Sequence, residues 1–267
     1  MCKILEVSRS SYYKRKNQSK GKRARENKQL LKMIGEVFTE SKERYGSPRI
    51  TAELKRRGIS CNKKRIARLM SKYGIEAKIF RKYRNTTNSD HKKERSQNIL
   101  GREFNRQKSN EVWTSDITYI RTEEGWLYLA AVMDIYSRKV IGWQLEKSLN
   151  SDLVERALRN ALMDRRVDKG IIFHSDQGIQ YASESFRKIL RDNGFIQSMS
   201  RKGNCYDNAI TETFFHTLKT ELTHRTKYKT REEARQSIFE YIKIFYNRKR
   251  LHSAIGYCSP AEYEKLT

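Results

Sequence analysis

The sequence predicts an α/β protein: a mixed five-stranded sheet with flanking helices, preceded by a small all-α helix-turn-helix domain. Three observations carry that expectation. Charge is divided unevenly: residues 1–108 hold 32 of the 57 Lys and Arg against 10 Asp and Glu, so this stretch carries +22 of the net +26. Within it, residues 26–77 show short amphipathic helical patterns punctuated by glycine. From residue 109 the pattern switches to alternating strands and then to strand–helix units.

In the basic half, "ENKQLLKMIGEVFTE" spaces Leu30, Leu31, Ile34 and Phe38 along one helical face. "SPRITAELKRRG" reads as a helix capped by Ser47, with Pro48 at its first position and its end at Gly58. "NKKRIARLMSKYG" starts at an Asn62 cap, buries Ile66, Leu69 and Tyr73, and stops at Gly74. Its outer face then presents Lys63, Lys64, Arg65, Arg68 and Lys72. Such a helix suits a DNA major groove, and the same pattern would also serve a helical hairpin with a merely solvated basic face. Residues 78–108 lack periodicity and an apolar face and read as a basic linker following a phosphate backbone. The basic N-terminal segment 1–25, with Tyr12 and Tyr13 ahead of lysines and arginines, is read the same way.

In residues 109–225, "EVWTSDITYI" puts Val112, Thr114, Asp116, Thr118 and Ile120 on one face of a strand. After the turn "RTEEG", "WLYLAAVMDIY" and "KVIGWQLE" complete a meander. "DLVERALRNALMDRR" is a helix, "GIIFHSD" a buried strand ending at Asp176, "SESFRKILRDNG" a helix and "FIQSMS" a fifth strand. The order βββαβαβα is that of a ribonuclease-H-like core. Residues 226–267 supply a C-terminal helix and tail that pack on it.

Composition limits the function classes. The longest apolar run, "WLYLAAVM", is far short of the roughly 20 residues a spanning helix needs, so no membrane is expected. Four scattered cysteines, with no C-x-x-C pair, argue against a zinc ribbon or a disulfide framework and suit a reducing cytoplasm. The excess of positive charge calls for a polyanion, nucleic acid first.

In a ribonuclease-H-like sheet the first and fourth strands are neighbours, so Asp116 and Asp176 face one another. Paired carboxylates repel, and a shared divalent cation relieves the repulsion. Carboxylates bridging two hard ions, about 3.5–4 Å apart, serve phosphoryl transfer. Singly, either aspartate reads equally as a local cap or turn residue. The third candidate is Glu212 in "GNCYDNAITETFFHTLK", where Ile210, Phe214, Leu218 and Leu222 form an apolar stripe and Glu212, His216 and Lys219 lie opposite. An ordinary surface helix has that pattern too. The interval of 35 residues between Asp176 and Glu212 is less neutral, as is Lys219, seven positions on along the same face.

These residues resemble those of the DDE transposase and retroviral integrase superfamily. "WTSDITYI", "HSDQGIQY", "GNCYDNAITETFFHTLK" and "YNRKRLHSAIGYCSPAEY", in that order, resemble the second-frame product of the IS-three family of bacterial insertion sequences. "YGSPRITAELKRRG" and "NKKRIARLM" resemble its helix-turn-helix and "SQNILGREF" its linker, so the likeness spans nearly the whole chain. The resemblance implies a transposase with Asp116, Asp176 and Glu212 as catalytic metal ligands, Lys219 as a DNA contact, and two Mg²⁺ or Mn²⁺ ions. It implies in-line attack by water and then by a DNA 3′-OH, acting on element terminal repeats and target DNA. It further implies a homo-oligomer on DNA in a bacterial cytoplasm, and fusion by frameshifting to an upstream-frame product. No His-His-Cys-Cys module of the retroviral kind is present, so zinc is not implied, and Thr213 stands where such helices often carry serine.

Other residues carry open readings. Asp134 is either a structural cap or a metal contact, and Asp207 and Asn208 either cap the Glu212 helix or bind metal. His174 and His216 fit packing or DNA contact better than ligation of a hard cation. Gln177 and Gly178, beside Asp176, lie where DNA could approach. Tyr246, Asn247, Arg248, Arg250, His252 and Ser253 either meet DNA ends or cover the sheet.

Overall fold

A computed structural model of the chain describes residues 2, 4, 6–16, 21–77, 96–201 and 205–266. They form two compact units, Met1–Lys78 and Ile79–Thr267.

The first unit is helical: α1 (Arg9–Lys16), α2 (Lys22–Glu40), α3 (Ser47–Arg56) and α4 (Lys63–Lys72). Leu30, Ile34 and Val37 of α2 meet Ile50 and Leu54 of α3 and Ile66, Leu69 and Met70 of α4, all nearly or fully excluded from solvent. Asn62 caps α4 by accepting the Lys64 N–H at 2.8 Å. Several details differ from the sequence reading. The segment 1–25, read like the linker, contains the helix α1. On α2, Val37 is buried while Leu31 and Phe38 are only partly so. The cap of α3 is the Gly46 backbone, with Ser47 already inside the helix. Tyr73 is 55% exposed, because α4 ends at Lys72 and Met70 fills the core position instead. α2 also begins at Lys22, ahead of residue 26.

The second unit is built on a sheet of β1 (Val112–Thr122), β2 (Gly125–Asp134), β3 (Val140–Glu146), β4 (Ile172–Ser175) and β5 (Ile196–Met199), in the order β3-β2-β1-β4-β5. β2 is antiparallel to β1 and β3, while β1, β4 and β5 run parallel. α5 (Ser151–Asp164) and α6 (Glu184–Asp192) cover one face, where Ala157, Leu158, Phe186 and Leu190 pack on Trp113, Val132 and Phe173. The other face carries α7 (Ala209–Leu218), a widened π-helical turn (Lys219–Thr223), α8 (Arg231–Phe239) and its π-helical continuation (Glu240–Tyr246). There Ile210, Phe214, Leu218, Ile238 and Ile242 pack on Ile120, Leu129 and Met133. Each predicted strand and helix of this unit forms, and the arrangement is the expected mixed ribonuclease-H-like sheet.

The stretch read as a linker divides. Residues 78–95 lie outside the described residues. Residues 96–104 are part of the second unit: Leu100 is 1% exposed in its core, and the Ile99 and Leu100 N–H groups donate to Ser198 Oγ on β5 at 3.0 and 3.2 Å. Two isolated apolar residues, Leu100 and Phe104, give no periodic signal, which is why composition alone suggested a linker.

The tail motif around residue 247 is mostly structural. The Asn247 amide accepts from the Val140 N–H at 3.0 Å and donates to the Val140 carbonyl at 2.9 Å, closing one position of the β3 edge. Asn160 and Arg235 donate to the β3 carbonyls of Trp143 and Leu145. Tyr246, Arg250 and His252 are buried, whereas Arg248 and Ser253 are exposed.

Candidate active site

The parallel ladder between β1 and β4 ends at Thr114 and His174, so Asp116 and Asp176 stand two residues farther along neighbouring chains. The Asp116 carboxylate accepts the N–H of Ile117 at 2.8 Å. That of Asp176 accepts the N–H of Gly178 at 3.0 Å. A Cβ on Gly178 would come within 2.9 Å of that same Asp176 oxygen, so a larger residue there would push on the carboxylate. Glu212 lies in the first turn of α7, half-buried, on the side away from the apolar stripe that Ile210, Phe214 and Leu218 bury.

Electrostatics link the three carboxylates. Burial, then the charges of Asp176 and Glu212, push the Asp116 carboxyl well above the ordinary range; the Ile117 N–H and Lys219 oppose this. Burial and Asp176 also raise Glu212. Burial lowers the Lys219 ammonium while Asp116 supports it, and its Nζ sits 5.0 Å from the centroid of the Tyr119 ring. Lys219 is thus within the electrostatic reach of the site as well as on the face expected for a DNA contact.

Among the described residues, no three His, Cys, Asp or Glu side chains stand close enough to hold an ion as they are placed. The chemistry of the donor set nonetheless fits a hard divalent cation: it consists of carboxylate oxygens, with Asp176 raising the proton affinity of both Asp116 and Glu212. His174 is engaged elsewhere, with Nδ1 2.9 Å from Ser198 Oγ and Nε2 3.1 Å from Ser200 Oγ. Burial pushes it down to about 4, so the imidazole is neutral and ties β4 to β5.

The open readings resolve toward structure. Asp134, wholly buried, accepts the N–H groups of Asn110 and Tyr136 at 2.9 and 3.0 Å and pairs with Arg165 at 3.4 Å. Burial raises it to about 6 against those donors. Asp207, also wholly buried, does not cap α7: it accepts from Arg102 Nε at 2.8 Å, Asn98 Nδ2 at 2.9 Å and Arg201, whose guanidinium holds its carboxyl far below the usual range. Asn208 makes no side-chain cap either; its amide reaches across to β1. On α4, Lys63, Lys64 and Arg68 are exposed, while Arg65 is partly buried and bonds Asn27 at 2.8 Å and Glu26 at 3.2 Å on α2. Arg65 therefore braces its own domain. Sequence reasoning missed the polar residues that flank the carboxylates, Thr114, Ser115, Tyr181 and Thr211. The available signal was their polarity at positions that a buried strand and helix would fill with apolar groups.

The topology, with one carboxylate within β1, one just past the end of the adjacent β4 and one on the following α7, is that of a ribonuclease-H-like core. An integrase core domain family matches residues 106–205 and a second integrase core domain family residues 212–267, while an HTH-like domain family matches residues 24–83. The chain is 40% identical over 268 residues to the transposase InsF for insertion sequence IS3A of Escherichia coli (strain K12), covering 99% of this chain and 92% of that protein. It is likewise 40% identical to the insertion element IS600 uncharacterized 31 kDa protein of Shigella sonnei, over 99% of this chain and 97% of that protein. In the simian T-cell lymphotropic virus intasome in complex with PP2A regulatory subunit B56 gamma, one chain aligns with a TM-score of 0.48 at 12% identity, over 86% of this chain and 74% of that one. The chain belongs to the IS3 transposase family. It is a transposase of the DDE type, a DNA-cutting and DNA-joining enzyme of transposition and DNA integration. No helix among the described residues is long and apolar enough to cross a membrane.

Proposed function

We propose that Asp116, Asp176 and Glu212 are the catalytic carboxylates and hold two Mg²⁺ or Mn²⁺ ions during DNA cleavage and strand transfer. The observation that carries this reading is the placement of three carboxylates on β1, just past the end of the adjacent β4, and in the first turn of α7, with the charge of Asp176 acting on both Asp116 and Glu212. When bound, the ions supply charge neutralisation and activation of an attacking oxygen in phosphoryl transfer. The Asp116 and Asp176 carboxylates are each steadied by a backbone N–H group, that of Ile117 and that of Gly178. Lys219, steadied over Tyr119, takes a phosphate of the DNA end beside the carboxylates. Lys63, Lys64 and Arg68 on the exposed face of α4 meet DNA phosphates and base edges; Arg65 contributes by fixing α4 to α2.

The substrates are the terminal inverted repeats of the element and target DNA. The active form is a homo-oligomer on DNA, fused through frameshifting to the upstream-frame product, and acts on the bacterial nucleoid in the cytoplasm. A duplex with a pre-cleaved element end, incubated with target DNA and Mg²⁺, tests the reaction. Joined products are expected. Nicking without joining would favour a nuclease of the ribonuclease H or junction-resolving kind.

A further inference from the structure

The three carboxylates stand on separate segments, and each segment is tied beside its carboxylate by buried polar contacts. Asn208, 3% exposed, donates from Nδ2 to the Ser115 carbonyl at 3.1 Å, one residue before Asp116. The Thr211 hydroxyl, one residue before Glu212, lies 2.8 Å from the Thr114 hydroxyl and 3.2 Å from Asn208 Oδ1. The Ser115 hydroxyl meets the Tyr181 hydroxyl at 2.8 Å. Tyr181 in turn closes the loop after Asp176, its N–H donating to the Gly178 carbonyl at 3.0 Å. Thr114, Ser115, Thr211 and Tyr181 are each no more than 1% exposed.

Apolar packing of Ile210, Phe214, Phe215 and Leu218 already anchors α7 to the sheet. Burying hydroxyls and an amide there costs desolvation that a further apolar contact would avoid. What apolar packing leaves loose is register along the strand, and these contacts fix it next to the groups whose spacing a metal site needs.

We propose that Asn208 is a positioning residue: acting through Ser115 and Thr211, it sets the placement of Asp116 against Glu212 and so the affinity for divalent cation. This rests on the assignment of the three carboxylates made above. Thr211 carries the helix side of the bridge, and Tyr181 holds the Asp176 loop to the same point on β1.

The test is a titration of the full chain with Mn²⁺, following the free ion by electron paramagnetic resonance, for wild type, Asn208→Ala, Thr211→Val, Thr211→Ser and Asp116→Asn. Partners of metal ligands typically change metal affinity about 10–100-fold, and Asn208→Ala and Thr211→Val are expected to weaken Mn²⁺ binding within that range. Thr211→Ser keeps the hydroxyl and is expected to restore wild-type binding, which a purely steric role for Thr211 would not do. Thr211→Val is nearly isosteric, so it decides the matter should Asn208→Ala fail to fold. Wild-type Mn²⁺ affinity in folded Asn208→Ala and Thr211→Val, with the site lost in Asp116→Asn, would overturn the positioning role and leave the carboxylate assignment standing. Undiminished binding by Asp116→Asn, or no saturable site in the wild type, would overturn both.

Discussion

Asp116→Asn, Asp176→Asn and Glu212→Gln are each expected to lower metal-dependent DNA cleavage by about a thousandfold or more. At 1.36 kcal/mol per factor of ten, that corresponds to roughly 4 kcal/mol of lost transition-state stabilisation. Each change preserves shape and removes one negative charge: burial and neighbouring charges disfavour ionisation at Asp116 and Glu212, and Asp176 is a charge acting on both. Without a bound cation the substitutions therefore relieve repulsion, and the melting temperature should hold or rise. Loss of activity with retained stability separates a ligand role from a structural one. DNA binding, carried in this account by Lys219 and the exposed residues of α4, should remain measurable by mobility shift in all three variants. A surface role for Glu212 would instead leave Glu212→Gln cleaving at the wild-type rate.

Arg250→Ala is expected to cause the largest loss of stability, about 3–5 kcal/mol, the range for removing one partner of a buried ion pair. Arg250 and Glu221 are 4% and 7% exposed. Nη2 lies 2.8 Å from Oε1, Nε lies 3.1 and 3.0 Å from the two oxygens, and the Tyr241 hydroxyl donates to Oε2 at 2.8 Å. Truncating the arginine leaves a carboxylate buried without its cation. For a unit of this size, roughly 2–4 °C of melting temperature per kcal/mol gives a fall of about 6–20 °C by calorimetry. The double variant Glu221→Leu, Arg250→Met should recover much of that loss, because a packed apolar pair avoids the desolvation cost. Activity should fall with Arg250→Ala as well, since Glu221 lies in the π-helical turn that begins at Lys219.

How much of this was legible in the sequence depended on the kind of signal. Strands such as Val112–Thr122 and Ile172–Ser175 declared themselves through alternation or a short apolar run, and their adjacency followed from the order of elements. Glu212 was placed on the polar side of α7 by a helical period that Ile210, Phe214 and Leu218 confirm by their burial. Contacts between distant segments left no periodic trace. Arg65 looked like its exposed neighbours because nothing in "NKKRIARLM" announces Glu26 and Asn27 on another helix. Asp207 looked like a helix cap because it precedes α7, yet Arg102, 105 residues away in sequence, and Arg201 bind it. Arg250 read equally as a contact to DNA ends or as cover for the sheet, and Glu221 neutralises it in the interior. Burial turns such charges from surface groups into struts, and only the three-dimensional arrangement reveals which ones.

Diffraction from Mn²⁺-soaked crystals of the full chain, recorded at the manganese absorption edge, would locate bound ions relative to the three carboxylates. Anomalous density is expected at ligand distance from the carboxylate oxygens of Asp116 and Asp176, with Glu212 turned toward it. Manganese bound instead at Asp134 or Asp207, with none between Asp116 and Asp176, would contradict the assignment of the three carboxylates.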